Sequence, residues 1–171
     1  KISEMIMLGS NNYLGLTTHP HVRQSVIKAV EDFGAGMGGP PLLNGTNTLH
    51  REVERRLTLL KSGPEHADER DCMLFASGFQ ANMGWLNALV REGDVLLYDE
   101  LNHASLYDGI ALAGSKLKPF RFRHNDCAHL EKLLQRFNDS RKPGAQIFVA
   151  IEGVYSMDGD LPPLPEITKL C

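Results

Sequence analysis

The chain has 171 residues, of which 42% are apolar and 23% are charged, and its formal net charge is −3. This composition is typical of a globular protein and excludes a largely disordered or fibrous chain. The small net charge gives no electrostatic reason to expect a nucleic acid or an anionic membrane as a partner, and no apolar run reaches the roughly 18 residues that span a bilayer. The three cysteines form no C-x-x-C pair, so we expect reduced thiols and a cytoplasmic protein.

The first part of the chain contains two predicted helices separated by a glycine-rich loop. Apolar residues recur at helical spacing over 21–33, and Gly34 marks the expected end. The stretch 34–46 is too rich in glycine and proline for a regular element, and its G-x-G-x-x-G spacing follows a helix, so it does not predict a dinucleotide site. Thr46 is predicted to cap a helix that ends near Leu60, with a polar loop over 61–71.

The rest of the chain alternates predicted strands with predicted helices. The strands are expected at 72–76, 94–99, 116–122 and 146–153, and the helices at 77–90, 103–113 and, capped by Asp126, up to about 137. Pro119 makes the third strand a poor or edge strand, whereas the apolar fourth strand is expected to be buried. The alternation predicts an α/β fold in three layers, with a mainly parallel sheet and helices on both faces.

Three loops that follow predicted strands have unusual polar content, and in α/β sheets ligands bind at such loops. Ser77 and Gly78 precede a helix whose amides and dipole favour a phosphate, although a serine there is often only a helix cap. His103 lies beside Asn102 at the next helix start, where a histidine is often structural. The third loop, 152–160, is acidic, but its spacing does not match a calcium loop and we expect no metal.

Five motifs, taken in order, resemble those of the α-oxoamine synthases: GAGMGG…NGTNTLHREVE, FASGFQAN, YDELNHASLYDGI, RHND and IEGVYSMDGDLPPL. These are pyridoxal-phosphate enzymes of the aspartate-aminotransferase fold type (fold type I), which condense an amino acid with an acyl-CoA thioester and release CO₂. The resemblance covers nearly the whole chain. It implies pyridoxal 5'-phosphate as cofactor, an amino acid and an acyl-CoA or carrier-bound acyl group as substrates, and a homodimer with a shared active site.

The resemblance also implies which residues contact the cofactor. Ser77, Gly78 and Phe79 match the loop that holds the cofactor phosphate through backbone N–H groups, which agrees with the helix-dipole argument. His103 matches the histidine that stacks on the pyridine ring. A flat ring on that face keeps the cofactor plane fixed, so the bond to be broken stays perpendicular to it.

Three further residues complete the predicted site. Ser156 matches a serine near the phenolic oxygen of the cofactor, and Glu152 matches an acid that supports the same region. Together with His103 they are the predicted catalytic residues. Asn11 matches the asparagine that is expected to help bind the substrate carboxylate.

Two residues that the family requires have no match in this chain, namely the aspartate that pairs with the pyridine nitrogen and the lysine that forms the Schiff base. We therefore expect 1–45 to be an N-terminal segment with the glycine-rich loop, and 46–171 to be the first part of a truncated large domain, inactive alone. Two alternatives stay open. One is a catalytically inactive subunit that binds a partner, and the other is a different fold-type-I aminotransferase or lyase.

Overall fold

The structure, a computed structural model, describes residues 4–171. The chain divides into two compact units, Lys1–Met73 and Leu74–Cys171. The expected division after residue 45 falls inside the first unit. The glycine-rich loop stays with the helix that follows it, because Thr46 Oγ1 donates a hydrogen bond to the carbonyl of Pro41 at 3.1 Å and Gly45 N–H donates to Pro40 at 2.9 Å.

The first unit contains helices α1 (Pro20–Phe33) and α2 (Thr48–Ser62). Helix α1 confirms the prediction, and Gly34 ends it with a φ of 82°, in the region that favours glycine. A short 3₁₀ helix, Pro64–Glu69, occupies most of the predicted polar loop.

The predicted cap of α2 is wrong, because Asn47 and not Thr46 caps the helix. The Asn47 side chain accepts hydrogen bonds from the amides of Leu49 and His50 at 3.1 and 3.2 Å. His50 Nδ1 in turn accepts from the Asn47 amide at 3.2 Å, which completes a capping box. Thr46 cannot take this place while its hydroxyl binds the loop carbonyl of Pro41.

The elements of the second unit are α3 (Gly78–Leu89), β1 (Asp94–Asp99), α4 (Ala104–Ala113), β2 (Leu117–Phe122), α5 (Cys127–Ser140), β3 (Ile147–Ala150) and α6 (Leu164–Leu170). The strands form a parallel sheet with the order β2-β1-β3. The chain crosses from β1 through α4 to β2 and then through α5 to β3, on the far side of β1.

Side chains of β1 alternate between two apolar clusters, because successive residues of a strand point to opposite faces. Leu96 packs with Leu86 of α3 and Leu106 of α4. Val95 and Leu97 pack on the other face with residues of α5 and α6. Helices therefore cover both faces, as the predicted three-layer α/β architecture requires.

Two of the four strand predictions need correction, and the other two are confirmed by β1 and β2. Residues 72–76 do not form a strand within the part of the chain that the structure describes, because an apolar run becomes a strand only where a neighbour pairs with it. Strand β3 is shorter than predicted and half-buried rather than buried, since in the described sheet it has β1 as its single neighbour. Pro119 does lie in an edge strand, opposite Leu96.

Gly109 allows α3 and α4 to pack closely. A Cβ at this position would lie 3.3 Å from Leu86 Cδ2 and 3.4 Å from Met83 Cα. We expect Gly109→Leu to lower the free energy of unfolding by about 2 to 3 kcal/mol through overpacking, whereas Ala111→Leu on the exposed side of α4 should change it by less than about 0.5 kcal/mol. Urea denaturation followed by circular dichroism measures both, and equal effects would contradict the prediction.

Candidate active site

A cleft of about 510 Å³ lies where the loops after β1 and β3 meet the start of α3. Its walls include five of the seven predicted site residues, Gly78, Phe79, His103, Glu152 and Ser156. The three parallel strands end at the same edge of the sheet, so residues far apart in sequence converge there. The volume is in the usual range for sites that bind small molecules.

The α3 wall of the cleft is a helix N-terminus. Ser77 caps the helix, since its Oγ accepts a hydrogen bond from the Gln80 amide at 3.2 Å. The first intrahelical bond runs from the Ala81 amide to the Ser77 carbonyl at 3.0 Å. The amides of Gly78 and Phe79 precede that bond, and such N-terminal amides, together with the helix dipole, favour an anion. Ser77 is thus a helix cap that lies beside a potential phosphate site, so the two interpretations of the sequence, a cap and a phosphate site, are compatible.

His103 also lines the cleft and caps α4. Its Nδ1 accepts a hydrogen bond from the Ser105 amide at 3.2 Å and lies 2.7 Å from Ser105 Oγ. Because Nδ1 accepts, the neutral ring carries its proton on Nε2. The His103 and Phe79 rings form an edge-to-face pair, with the ring centroids 6.3 Å apart. His103 therefore caps a helix and lines the cleft at the same time.

Asn82 and Ser105 form a chain of hydrogen bonds that ends at the His103 ring. Neither was identified as a site residue from the sequence. Asn82 Nδ2 donates to Ser105 Oγ at 2.8 Å, and Ser105 is fully buried. This leaves the serine hydroxyl proton available for His103 Nδ1. The signal that identifies Asn82 is its position one helical turn after Gly78, on the same face of α3.

Glu152 and Asn102 tie the end of β3 to the loop after β1. The Glu152 carboxylate accepts a hydrogen bond from the His103 backbone amide. Asn102, which is buried, donates from its side chain to the Ala150 carbonyl at 2.9 Å. Glu152 therefore fixes the backbone that presents the His103 ring.

Asp99, at the end of β1, organises a second group of polar side chains next to the cleft. Its carboxylate is fully buried and accepts hydrogen bonds from the amides of Leu101 and Asn125, both at 2.9 Å. His124 Nδ1 lies 2.9 Å from the same carboxylate, and His124 Nε2 lies 2.7 Å from Asp160 Oδ2. His124 belongs to the RHND motif, but the motif does not indicate that its ring bridges two carboxylates.

The surroundings of this polar group raise the pKa values of His124 and Tyr155. Burial lowers the pKa of His124, but hydrogen bonds and charges from Asp99 and Asp160 outweigh it, so the pKa lies above the ordinary value. Burial, followed by the negative charge of Asp99, raises the pKa of the Tyr155 hydroxyl well above its usual range.

Asn11 belongs to the first unit and is exposed, with its side-chain oxygen accepting a hydrogen bond from Tyr13 Oη at 3.4 Å. Its part in substrate binding stays a prediction.

Across residues 4–171, no helix combines the length and apolar character that crossing a bilayer requires. The same residues contain no group of three or more His, Cys, Asp or Glu side chains that could hold a metal ion.

Comparison with known sequences identifies relatives over almost the whole chain. A family model described as aminotransferase class I and II matches residues 3–171. The 8-amino-7-oxononanoate synthase of Thermoanaerobacter pseudethanolicus is 42% identical over 98% of this chain and 40% of its own length. The serine palmitoyltransferase of Bacteriovorax stolpii is 40% identical over 99% of this chain and 38% of its own length. The chain thus spans about two fifths of these relatives.

Solved structures agree with the sequence comparison. The serine palmitoyltransferase of Sphingomonas wittichii superimposes with a TM-score of 0.82 at 37% identity, covering 95% of this chain and 38% of that one. A serine palmitoyltransferase variant with pyridoxal phosphate gives a TM-score of 0.82 at 36% identity over the same shares. The 8-amino-7-oxononanoate synthase of Francisella tularensis, at 22% identity, shares the fold with a TM-score of 0.72 over 95% of this chain and 41% of that one.

Proposed function

Because the chain belongs to the aminotransferase class I and II family, we propose that it is part of a pyridoxal-phosphate-dependent acyltransferase that condenses an amino acid with an acyl thioester and releases CO₂. The observation that carries the proposal is the cleft at the strand ends. It combines an anion-binding helix start, the His103 ring and the Ser156 hydroxyl around one volume. The relatives named as 8-amino-7-oxononanoate synthase and serine palmitoyltransferase support this choice of reaction.

The donor groups of the cleft fit pyridoxal 5'-phosphate. A dianionic phosphate needs positive potential, and no lysine or arginine is among the described residues that line the cleft. The amides of Gly78 and Phe79 and the dipole of the 12-residue helix α3 supply that potential instead. His103 presents a flat, exposed ring on which an aromatic cofactor can stack.

The residues of the chain bind and orient, and the cofactor supplies the hard chemistry. When bound, pyridoxal phosphate acts as an electron sink for a carbanion at the α-carbon of the amino acid. His103 fixes the plane of the bound ring, and Ser105 keeps the His103 proton on Nε2. Glu152 holds the His103 backbone in place. The exposed Ser156 hydroxyl, which lines the cleft, would donate a hydrogen bond to the phenolic oxygen.

A homodimer with a shared active site, substrate carboxylate binding by Asn11 and a cytoplasmic location are parts of the same proposal. The substrates are an amino acid and an acyl-CoA or carrier-bound acyl group. The alternative is an inactive, partner-binding subunit, in which no lysine would attach the cofactor covalently.

The test compares the full-length protein with the isolated 171-residue chain. With pyridoxal phosphate, an amino acid such as alanine, glycine or serine, and an acyl-CoA, we expect the full-length protein to release CoA thiol and CO₂ only when both substrates are present. Borohydride reduction followed by mass spectrometry should trap the cofactor on a lysine outside residues 1–171 and none on the isolated chain. Trapping on a lysine within the chain, or full-length protein that binds the cofactor without releasing CoA, would contradict the proposal.

A further inference from the structure

We propose that His124 is a positioning residue of the cleft, which clamps the segment bearing Glu152 and Ser156 to the ends of β1 and β2 when its ring is doubly protonated. That the cleft is an active site rests on the proposed function. The clamp itself rests on interatomic distances within the second unit. It concerns the segment 151–163, which connects β3 to α6.

His124 bridges two carboxylates from different parts of the fold. Nδ1 lies 2.9 Å from Asp99 Oδ1 at the end of β1, and Nε2 lies 2.7 Å from Asp160 Oδ2 in segment 151–163. Its backbone amide donates to Glu100 Oε1 at 3.0 Å. Asn125 strengthens the same connection, since its side chain donates to Asp160 Oδ2 at 2.9 Å while its backbone amide binds Asp99. The loop after β2 is therefore joined to the end of β1 and to segment 151–163.

The clamped segment is a closed turn that places Ser156 at the cleft. The Tyr155 amide donates to the Asp160 carbonyl at 3.0 Å, and the Gly159 amide donates to the Tyr155 carbonyl at 2.7 Å. The Tyr155 ring is buried with its centroid 4.5 Å from that of His124, in an edge-to-face arrangement. Ser156 follows directly and is exposed on the cleft. Movement of Asp160 away from His124 would therefore move the Ser156 side of the site.

The two carboxylate contacts favour the doubly protonated ring, and Asn125 Nδ2, a donor, also lies 3.1 Å from Nε2. Both ring nitrogens face carboxylate oxygens, and a carboxylate accepts but does not donate. The doubly protonated ring donates to both, whereas a neutral ring would turn one nitrogen lone pair toward a carboxylate. The titratable or charged groups around His124 are Asp99, Glu100, Arg121, Arg123, Asp126, Tyr155 and Asp160.

The pH dependence follows from the direction of the His124 shift. The folded pKa is raised above that of the unfolded chain by Asp99 and Asp160, against the effect of burial. The clamp therefore contributes fully below the ordinary histidine pKa of about 6.5 and is lost as the pH rises through the folded pKa. Segment 151–163 should loosen on the alkaline side of that titration.

The test uses the full-length protein and three matched forms: unmodified, Asp160→Asn and Asp158→Asn. Asp158 is exposed on the same turn and is not a partner of His124, so its substitution makes the same change of charge without touching the clamp. Nitrogen-15 NMR of the His124 ring gives its pKa. Hydrogen exchange of residues 153–160, expressed as protection factors to remove the intrinsic pH effect, reports the order of the segment.

In the unmodified protein and in Asp158→Asn, we expect protection of 153–160 to fall with the same midpoint as the His124 titration. In Asp160→Asn the His124 pKa should be lower, and protection should be roughly five- to tenfold lower at acidic pH, because asparagine keeps an acceptor oxygen but removes the charge that strengthens the hydrogen bond. Protection that is independent of the His124 titration in the unmodified protein overturns the proposal, whether or not the variants fold. Equal effects of the two substitutions also overturn it.

The readout separates this inference from the proposed function. Neither ring nitrogen-15 shifts nor amide exchange requires the cofactor, so a protein that fails to bind pyridoxal phosphate still tests the clamp. If the cofactor binds and the condensation occurs while the protection of 153–160 does not follow the His124 titration, only the clamp is wrong.

Discussion

Asp99→Ala is expected to lower the free energy of unfolding by about 3 to 5 kcal/mol, the largest effect on stability that we predict for any single substitution. The carboxylate is fully buried and accepts hydrogen bonds from the amides of Leu101 and Asn125 and from His124. Alanine removes the acceptor and leaves these donors in a buried place, where an unmade hydrogen bond is expensive. The change also removes one of the two charges that favour the protonated His124 ring.

Chemical denaturation of the full-length protein, followed by tryptophan fluorescence, measures this loss. Asp139→Ala provides a control, because Asp139 is exposed on α5, and its substitution should change the free energy of unfolding by less than about 0.5 kcal/mol. If Asp99→Ala were no more harmful than Asp139→Ala, the buried polar group at the end of β1 would have no part in holding the strand ends together.

His103→Ala is expected to reduce kcat/KM of the full-length protein by about 100-fold, because the ring that we propose to fix the bound cofactor is lost and misplacement of reacting groups has effects of this size. The substitution also removes a helix cap, which costs about 1 kcal/mol of stability. His103→Phe is the matched variant. It loses the same cap but keeps a flat ring on the cleft, so it should recover part of the affinity for the cofactor.

Steady-state kinetics at saturating pyridoxal phosphate, together with the dissociation constant of the cofactor measured by fluorescence, distinguish the two contributions. We expect both variants to lose similar stability and only His103→Ala to lose most of its affinity for the cofactor. Identical cofactor affinities in the two variants would show that His103 acts through the helix cap alone and would remove the stacking role from the proposal.

Local signals in the sequence predicted several elements well. Asp126 is the cap of α5, with its carboxylate accepting from the His129 amide at 2.8 Å, because a cap depends on residues within one turn of the helix. Helix α1 and strand β1 likewise follow from the spacing of apolar residues. The cap of α2 was misplaced by one residue, because Thr46 and Asn47 are both good caps and the hydrogen bond of Thr46 to Pro41 decided between them.

Nonlocal contacts could not be predicted in the same way. The apolar run 72–76 satisfied the strand pattern, yet no pattern within five residues specifies a partner strand. The Asn82–Ser105 hydrogen bond joins residues 23 positions apart, and the His124–Asp160 pair joins residues 36 positions apart. Each depends on how α3, α4 and the strand ends are placed, which the periodicity of either segment does not reveal.

The sequence by itself determined the alternation of strands and helices, the edge character of β2 through Pro119, and the strand-end loops that carry His103, Glu152 and Ser156, because these follow from short-range periodicity and from motifs. The tertiary structure alone decided the strand order β2-β1-β3, the convergence of those loops on one cleft, and the position of His124 between two carboxylates. The physical reason is that crossovers through α4 and α5 place β2 and β3 on opposite sides of β1. Side chains more than 20 residues apart thereby come within hydrogen-bond distance at one edge of the sheet.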